Sequence, residues 1–114
     1  MRFVINELGL LPAIQKLPGY EDTNEELVDV ILEEAGKLAG GVLAPINASG
    51  DTQGAFLENG VVRTAEGFSD AYRQFVEGGW NSVPFDPDYG GQGLPWLVGI
   101  VTGEMWSSAN NAWS

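Results

Sequence analysis

The apolar positions of this chain fall mostly at helical spacing. Leu27, Ile31, Ala35, Leu38 and Val42 recur at intervals of four, four, three and four, flanked by Val28, Leu32, Ala39 and Leu43. That period lays one apolar stripe along one face of a helix. Acidic residues gather in its first half, where the helix dipole favours them. Ahead of it, Thr23-Asn24-Glu25-Glu26 reads as a capping box, with Thr23 accepting from the Glu26 N–H and the Glu26 side chain reaching back. Gly40-Gly41 weakens the helix and Pro45 limits it.

Upstream, Phe3, Val4, Ile5, Leu8, Leu10, Leu11, Ile14 and Leu17 keep a helix-like spacing that Gly9 and Pro12 interrupt. The pattern predicts one or two short helices before the turn Leu17-Pro18-Gly19. Downstream the period changes. Two short apolar runs, 55–58 and 61–64, flank Asn59-Gly60, a dipeptide that accepts positive φ at both positions. A type I′ hairpin is predicted there. Phe68, Tyr72, Phe75 and Val76 then predict a helix over 67–77, stopped by Gly78-Gly79.

A turn-rich loop, Asp86-Pro87-Asp88-Tyr89-Gly90-Gly91-Gln92-Gly93, leads to the last helix, with Pro95 in its first turn. From Leu94 to Ser114 the only charge is Glu104. No Gly, Pro or basic residue closes this helix, so it is expected to run to Ser114. A helix so nearly apolar on all sides expects protein around it. The chain is therefore expected to be one domain, 1–114, cut from a longer protein inside its last helix. The fold class that follows is mainly α, a bundle of four or five helices with one small β-hairpin.

Charge and composition narrow the chemistry. The net charge of −11, from 16 acidic and 5 basic residues, argues against nucleic acid and against an anionic membrane surface. No apolar run is long enough for a membrane span. The first residues turn acidic too soon for a signal peptide. With no Cys, a cytoplasmic setting is expected. With neither Cys nor His, thiol nucleophiles, Ser-His-Asp triads and Cys/His zinc sites are excluded, which leaves carboxylates, Lys and Tyr for proton transfer. Asp86-x-Asp88-x-Gly90 starts like a calcium loop but lacks the third oxygen ligand and the closing Glu, so no metal site is expected. Gly90-Gly91-Gln92-Gly93 ahead of a helix is either a phosphate cradle or a tight turn that lets the backbone pass close to a neighbour. Glu104 is either a base poised by burial or a structural carboxylate. Trp80, Trp96, Trp106 and Trp113 read as core or interface anchors.

The string Asp88-Tyr89-Gly90-Gly91-Gln92-Gly93-Leu94, followed by Glu104-Met105-Trp106-Ser107-Ser108-Ala109, resembles the N-terminal α-domain of flavin-dependent acyl-CoA dehydrogenases. Residues 66–84, with Phe75-Val76-Glu77-Gly78-Gly79-Trp80, resemble the family's preceding helix and the segment after it. Residues 1–33 resemble the leader of the larger members similar to 3-(methylthio)propanoyl-CoA dehydrogenases. The resemblance implies a parent enzyme that uses FAD to desaturate an acyl-CoA thioester, as in fatty acid metabolism. It implies that the catalytic Glu and the main flavin contacts lie in middle and C-terminal domains outside this chain. Glu104 matches a family Glu that is not the catalytic base. No catalytic, cofactor-binding or metal-binding residue is thus expected here, and the chain alone is expected to be inactive. Its share is acyl-pocket wall and interdomain packing, with Trp113 and Ser114 as the substrate-binding candidates. Two other readings stand beside this one: a free-standing helical interaction module, and a binder of a small phosphate ligand at residues 90–93. Homo-oligomerisation is expected in either of the first two, with residues 94–114, Val101 and Trp106 among them, as the contact.

Overall fold

The central stripe folds as a helix, α2 (Glu25–Leu38), in a computed structural model that describes residues 1–114. Its buried residues are Val28, Leu32 and Ala35, continued beyond it by Ala39 and Leu43. The buried line is the one that was read as flanking, and Leu27 is left exposed. Both lines lie within one broad apolar arc, and spacing alone does not fix the centre of that arc. The cap also differs by one residue from the capping box. Asn24 Oδ1, not Thr23, accepts from the Leu27 N–H at 2.8 Å. Asn caps a helix as well as Thr does, and Thr23 is instead buried.

Gly40-Gly41 and Pro45 reshape the helical run without ending it. Ala39–Leu43 opens into a wider π turn, Ala44–Ile46 tightens into a 3₁₀ turn, and α3 (Asn47–Gln53) follows. Pro45 sits at the start of the 3₁₀ turn, where its missing N–H costs least. The sequence Asn-Ala-Ser-Gly-Asp-Thr-Gln has no apolar period, so α3 was not visible in the pattern. What it offers is Gly50: a Cβ there would stand 2.6 Å from the Phe68 ring. Phe68 can lie flat on α3 only because that residue is glycine.

The two short N-terminal helices take the form of a π turn, Phe3–Glu7, and α1 (Leu10–Ile14), separated by Gly9 at φ 71°. Ile5 and Leu11 are their buried anchors. Arg2 pairs with Asp29 at 2.9 Å, and Asn6 Nδ2 donates to Glu25 Oε1 at 2.8 Å. Both contacts are largely solvent-exposed, so they orient the leader on α2 more than they stabilise it.

The hairpin forms as predicted. Strands β1 (Phe56–Glu58) and β2 (Val61–Arg63) pair antiparallel, with Leu57 opposite Val62. Asn59 and Gly60 hold φ of 51° and 78°. All six strand residues are exposed, so this is a surface ribbon. Helix α4 (Phe68–Glu77) stops at Gly78, with Gly79 at φ 74°. The last helix, α5, covers Trp96–Ala109.

The elements gather into two compact units. One holds residues 1–35 and 82–102, with Ile5, Val28 and Val98 among its most buried side chains; the other holds residues 36–81 and 103–114, with Leu43 and Ala71. Both α2 and α5 contribute residues to each unit.

Candidate functional site

An anion cradle needs backbone N–H groups that point outward without partners. In the glycine-rich loop each one is taken. Gly90 donates to the Pro87 carbonyl, Gly91 to Asp86, Gln92 to Ser82, Gly93 to Phe85 and Leu94 to Val83, at 2.9 to 3.1 Å. Asp86 Oδ1 also takes the Asp88 N–H at 2.9 Å. Nothing remains for a phosphate, so the phosphate-binding reading of residues 90–93 falls. The close-approach reading accounts for the glycines. A Cβ on Gly91 would collide with the Phe85 carbonyl, and Gly90 and Gly93 sit at φ 83° and 65°. No group of three or more carboxylates is placed to hold a metal ion.

Glu104 is exposed on α5, so it lacks the burial that would make it a poised base. Val101 and Trp106, expected at an intermolecular contact, are instead buried within the chain. The helix also stops earlier than expected, at Ala109, and residues 111–113 form a turn. Asn110 explains the stop. Its side chain is 1% exposed; Nδ2 donates to the Leu43 carbonyl at 3.2 Å, and Oδ1 accepts from the Trp113 N–H at 3.2 Å. An Asn side chain that takes a nearby backbone N–H offers the chain an alternative to the next helical turn. The pair Asn110-Asn111 was the available signal, since Asn can close a helix as Gly does.

The turn brings Trp113 onto an aromatic cluster. Its Nε1 donates to the Phe68 carbonyl at 3.2 Å. Phe75 meets Trp113 edge-on at 5.3 Å and Trp106 at 5.8 Å, and Trp80 meets Trp106 at 5.3 Å. Such edge-to-face contacts each add about 0.5–1.5 kcal/mol beyond the area they bury. The cluster holds Trp113 as one wall of an open groove of about 450 Å³, lined by Thr64, Phe68, Ser69, Tyr72, Ala112 and Trp113. A smaller recess of about 160 Å³ shares Thr64, Phe68 and Ala112 with it and is otherwise lined by Gly50, Gly54, Ala55 and Ala65. No charged side chain lines either space. The arrangement suits an apolar chain and offers no group for proton or hydride transfer. Of the two candidates from the sequence, Trp113 lines the groove. Ser114 does not; its Oγ lies 2.8 Å from Ser107 Oγ. Phe68 and Tyr72 were legible only as a helix face, because their use as groove wall depends on Gly50 and on the turn after Asn110.

No protein-family model matches the chain. Over 108 residues, 95% of its length, the chain is 40% identical to the 3-methylmercaptopropionyl-CoA dehydrogenase of Ruegeria pomeroyi. The matched stretch is 18% of that protein, so the chain spans less than a fifth of the curated relative it matches.

Proposed function

We propose that this chain is the N-terminal helical domain, residues 1–114 with 1–33 as its leader, of an FAD-dependent acyl-CoA dehydrogenase. The observation that carries the reading is identity of 40% along 95% of the chain to an acyl-CoA dehydrogenase. In such a parent, a carboxylate takes the α proton of the acyl thioester and the β hydrogen leaves as hydride. FAD supplies the hydride acceptor when bound. The residues of this chain do not fit that group: the loop N–H donors are all bonded internally, and the two cavities carry no cation for a pyrophosphate. Flavin and base therefore belong to the middle and C-terminal domains of the parent.

The share of this domain is to wall and exclude water. The groove along Phe68, Tyr72 and Trp113 presents ring faces, and the Trp113 N–H is already spent on the Phe68 carbonyl, which leaves an apolar surface for an acyl segment. A cytoplasmic, homo-oligomeric parent acting on acyl-CoA goes with this reading, and no helix of the chain is long and apolar enough to cross a membrane. The test is the full-length gene product. It is expected to bind FAD and to reduce an artificial acceptor when given a saturated acyl-CoA. Trp113→Ala is expected to raise KM about tenfold, equivalent to ~1.4 kcal/mol, with flavin content and kcat nearly unchanged. A flavin-loaded product that oxidises no saturated acyl-CoA of any chain length refutes the assignment.

A further inference from the structure

The outward side of α5 carries an apolar seam that the groove does not use. The helix has a single charge, Glu104, and its inward residues Val98, Val101, Thr102 and Trp106 are buried. Outward, Trp96 and Ile100 are 60% and 64% exposed. The same line runs on through Gly103 and Ser107, at intervals of four, three and four. That is the spacing of a seam between paired helices. Trp96 is held in place, because Phe85 meets its ring edge-on at 6.2 Å. Gly103 lies under open space, since a Cβ there would meet nothing within 4 Å.

The sizes along the seam run large, large, small, small, and that order is complementary to its own reverse. A second copy laid antiparallel puts Trp96 across from Ser107 and Ile100 across from Gly103. We propose that the chain pairs with a second copy through this face of α5, about a two-fold axis between Ile100 and Gly103. Glu104 then falls opposite Gly99, so the one charge of the helix does not face itself. The exposed parts of Phe85, Trp96 and Ile100 amount to about 400 Å² per copy, taking ~150–250 Å² for a whole aromatic side chain. Two copies bury about 800 Å², less than the ~1,200–2,000 Å² of stable interfaces. The pair is therefore weak, with a dissociation constant on the order of 100 μM. The net charge of −11 on each copy makes it tighten as salt screens the repulsion. The inference is independent of the proposed enzyme.

Sedimentation velocity of the 114-residue chain between 20 μM and 1 mM, at low salt and in 0.5 M NaCl, tests it. The dimer fraction is expected to rise with concentration and with salt. Gly103→Leu should weaken association at least tenfold, because it fills the space that Ile100 enters, while far-UV dichroism stays that of the parent. Unspecific stickiness predicts the opposite, since Leu adds apolar surface. Ile100→Ser should weaken association to a similar degree. A chain still monomeric at 1 mM in 0.5 M NaCl overturns the proposal. So does a folded Gly103→Leu variant that associates as well as the parent. If Gly103→Leu does not fold, Ile100→Ser decides, and unchanged association of that variant overturns the proposal.

Discussion

Replacing Asn110 by Ala tests whether one side chain sets both the end of α5 and the wall of the groove. The substitution removes the donor to the carbonyl of Leu43, a residue with 0% exposure. Leaving a buried carbonyl without its partner costs about 1–3 kcal/mol. The bond from Oδ1 to the Trp113 N–H is lost too, but that N–H also reaches the Asn110 backbone carbonyl at 3.2 Å, so this half costs less, about 0.5 kcal/mol. Together the loss is about 2–3 kcal/mol. At ~4 °C per kcal/mol for a domain of this size, Tm is expected to fall by about 8–12 °C. Ala also removes the competitor of the next helical turn, so the indole N–H resonance of Trp113 should shift as it leaves the Phe68 carbonyl. Asn110→Asp should do at least as much damage, because it turns an oxygen toward the Leu43 carbonyl. Thermal melting followed by dichroism reads the first effect and NMR the second. A Tm for Asn110→Ala within 2 °C of the parent, with the Trp113 indole signal unmoved, would refute the reasoning.

Asn24→Ala is expected to cost about 1 kcal/mol in a urea titration, because it removes the N-cap of α2; a neutral result would return the cap to Thr23. Gly91→Ala should cost about 3 kcal/mol or more, or prevent folding, and an unchanged melt would contradict the close approach to Phe85. Titration of the 114-residue chain with FAD should leave flavin fluorescence unchanged, whereas stoichiometric quenching would place a flavin site on this domain.

Elements with a strong period of their own were legible in the sequence. The helix after Asn24, the hairpin at Asn59-Gly60 and the helix closed by Gly78-Gly79 all follow from local rules, and all three are present. The misses share a cause. Helix α3 has no apolar face and exists beside Phe68, a partner 18 residues away from Gly50. The end of α5 depends on Leu43, which is 67 residues from Asn110. Local spacing carries no trace of either contact. The loop at 86–94 was the reverse case: its glycines suggested two uses, and only the hydrogen-bond partners of their N–H groups could choose between them. Trp113 was reached through resemblance, and its groove became visible once the turn after Asn110 had been placed.

Because the shape of the 86–94 loop is held by main-chain bonds and by the Asp86 carboxylate, its outward side chains are nearly uncoupled from its shape. Tyr89 is 90% exposed, and Asp88 contributes its N–H to the fold while its side chain points to solvent. Positions 88 and 89 should therefore tolerate almost any L-residue except proline. Positions 86, 90, 91 and 93 should tolerate few. A random library at these six sites, sorted for folded protein, would divide along that line. The loop is a surface on which new side chains can be tried without first finding a new backbone.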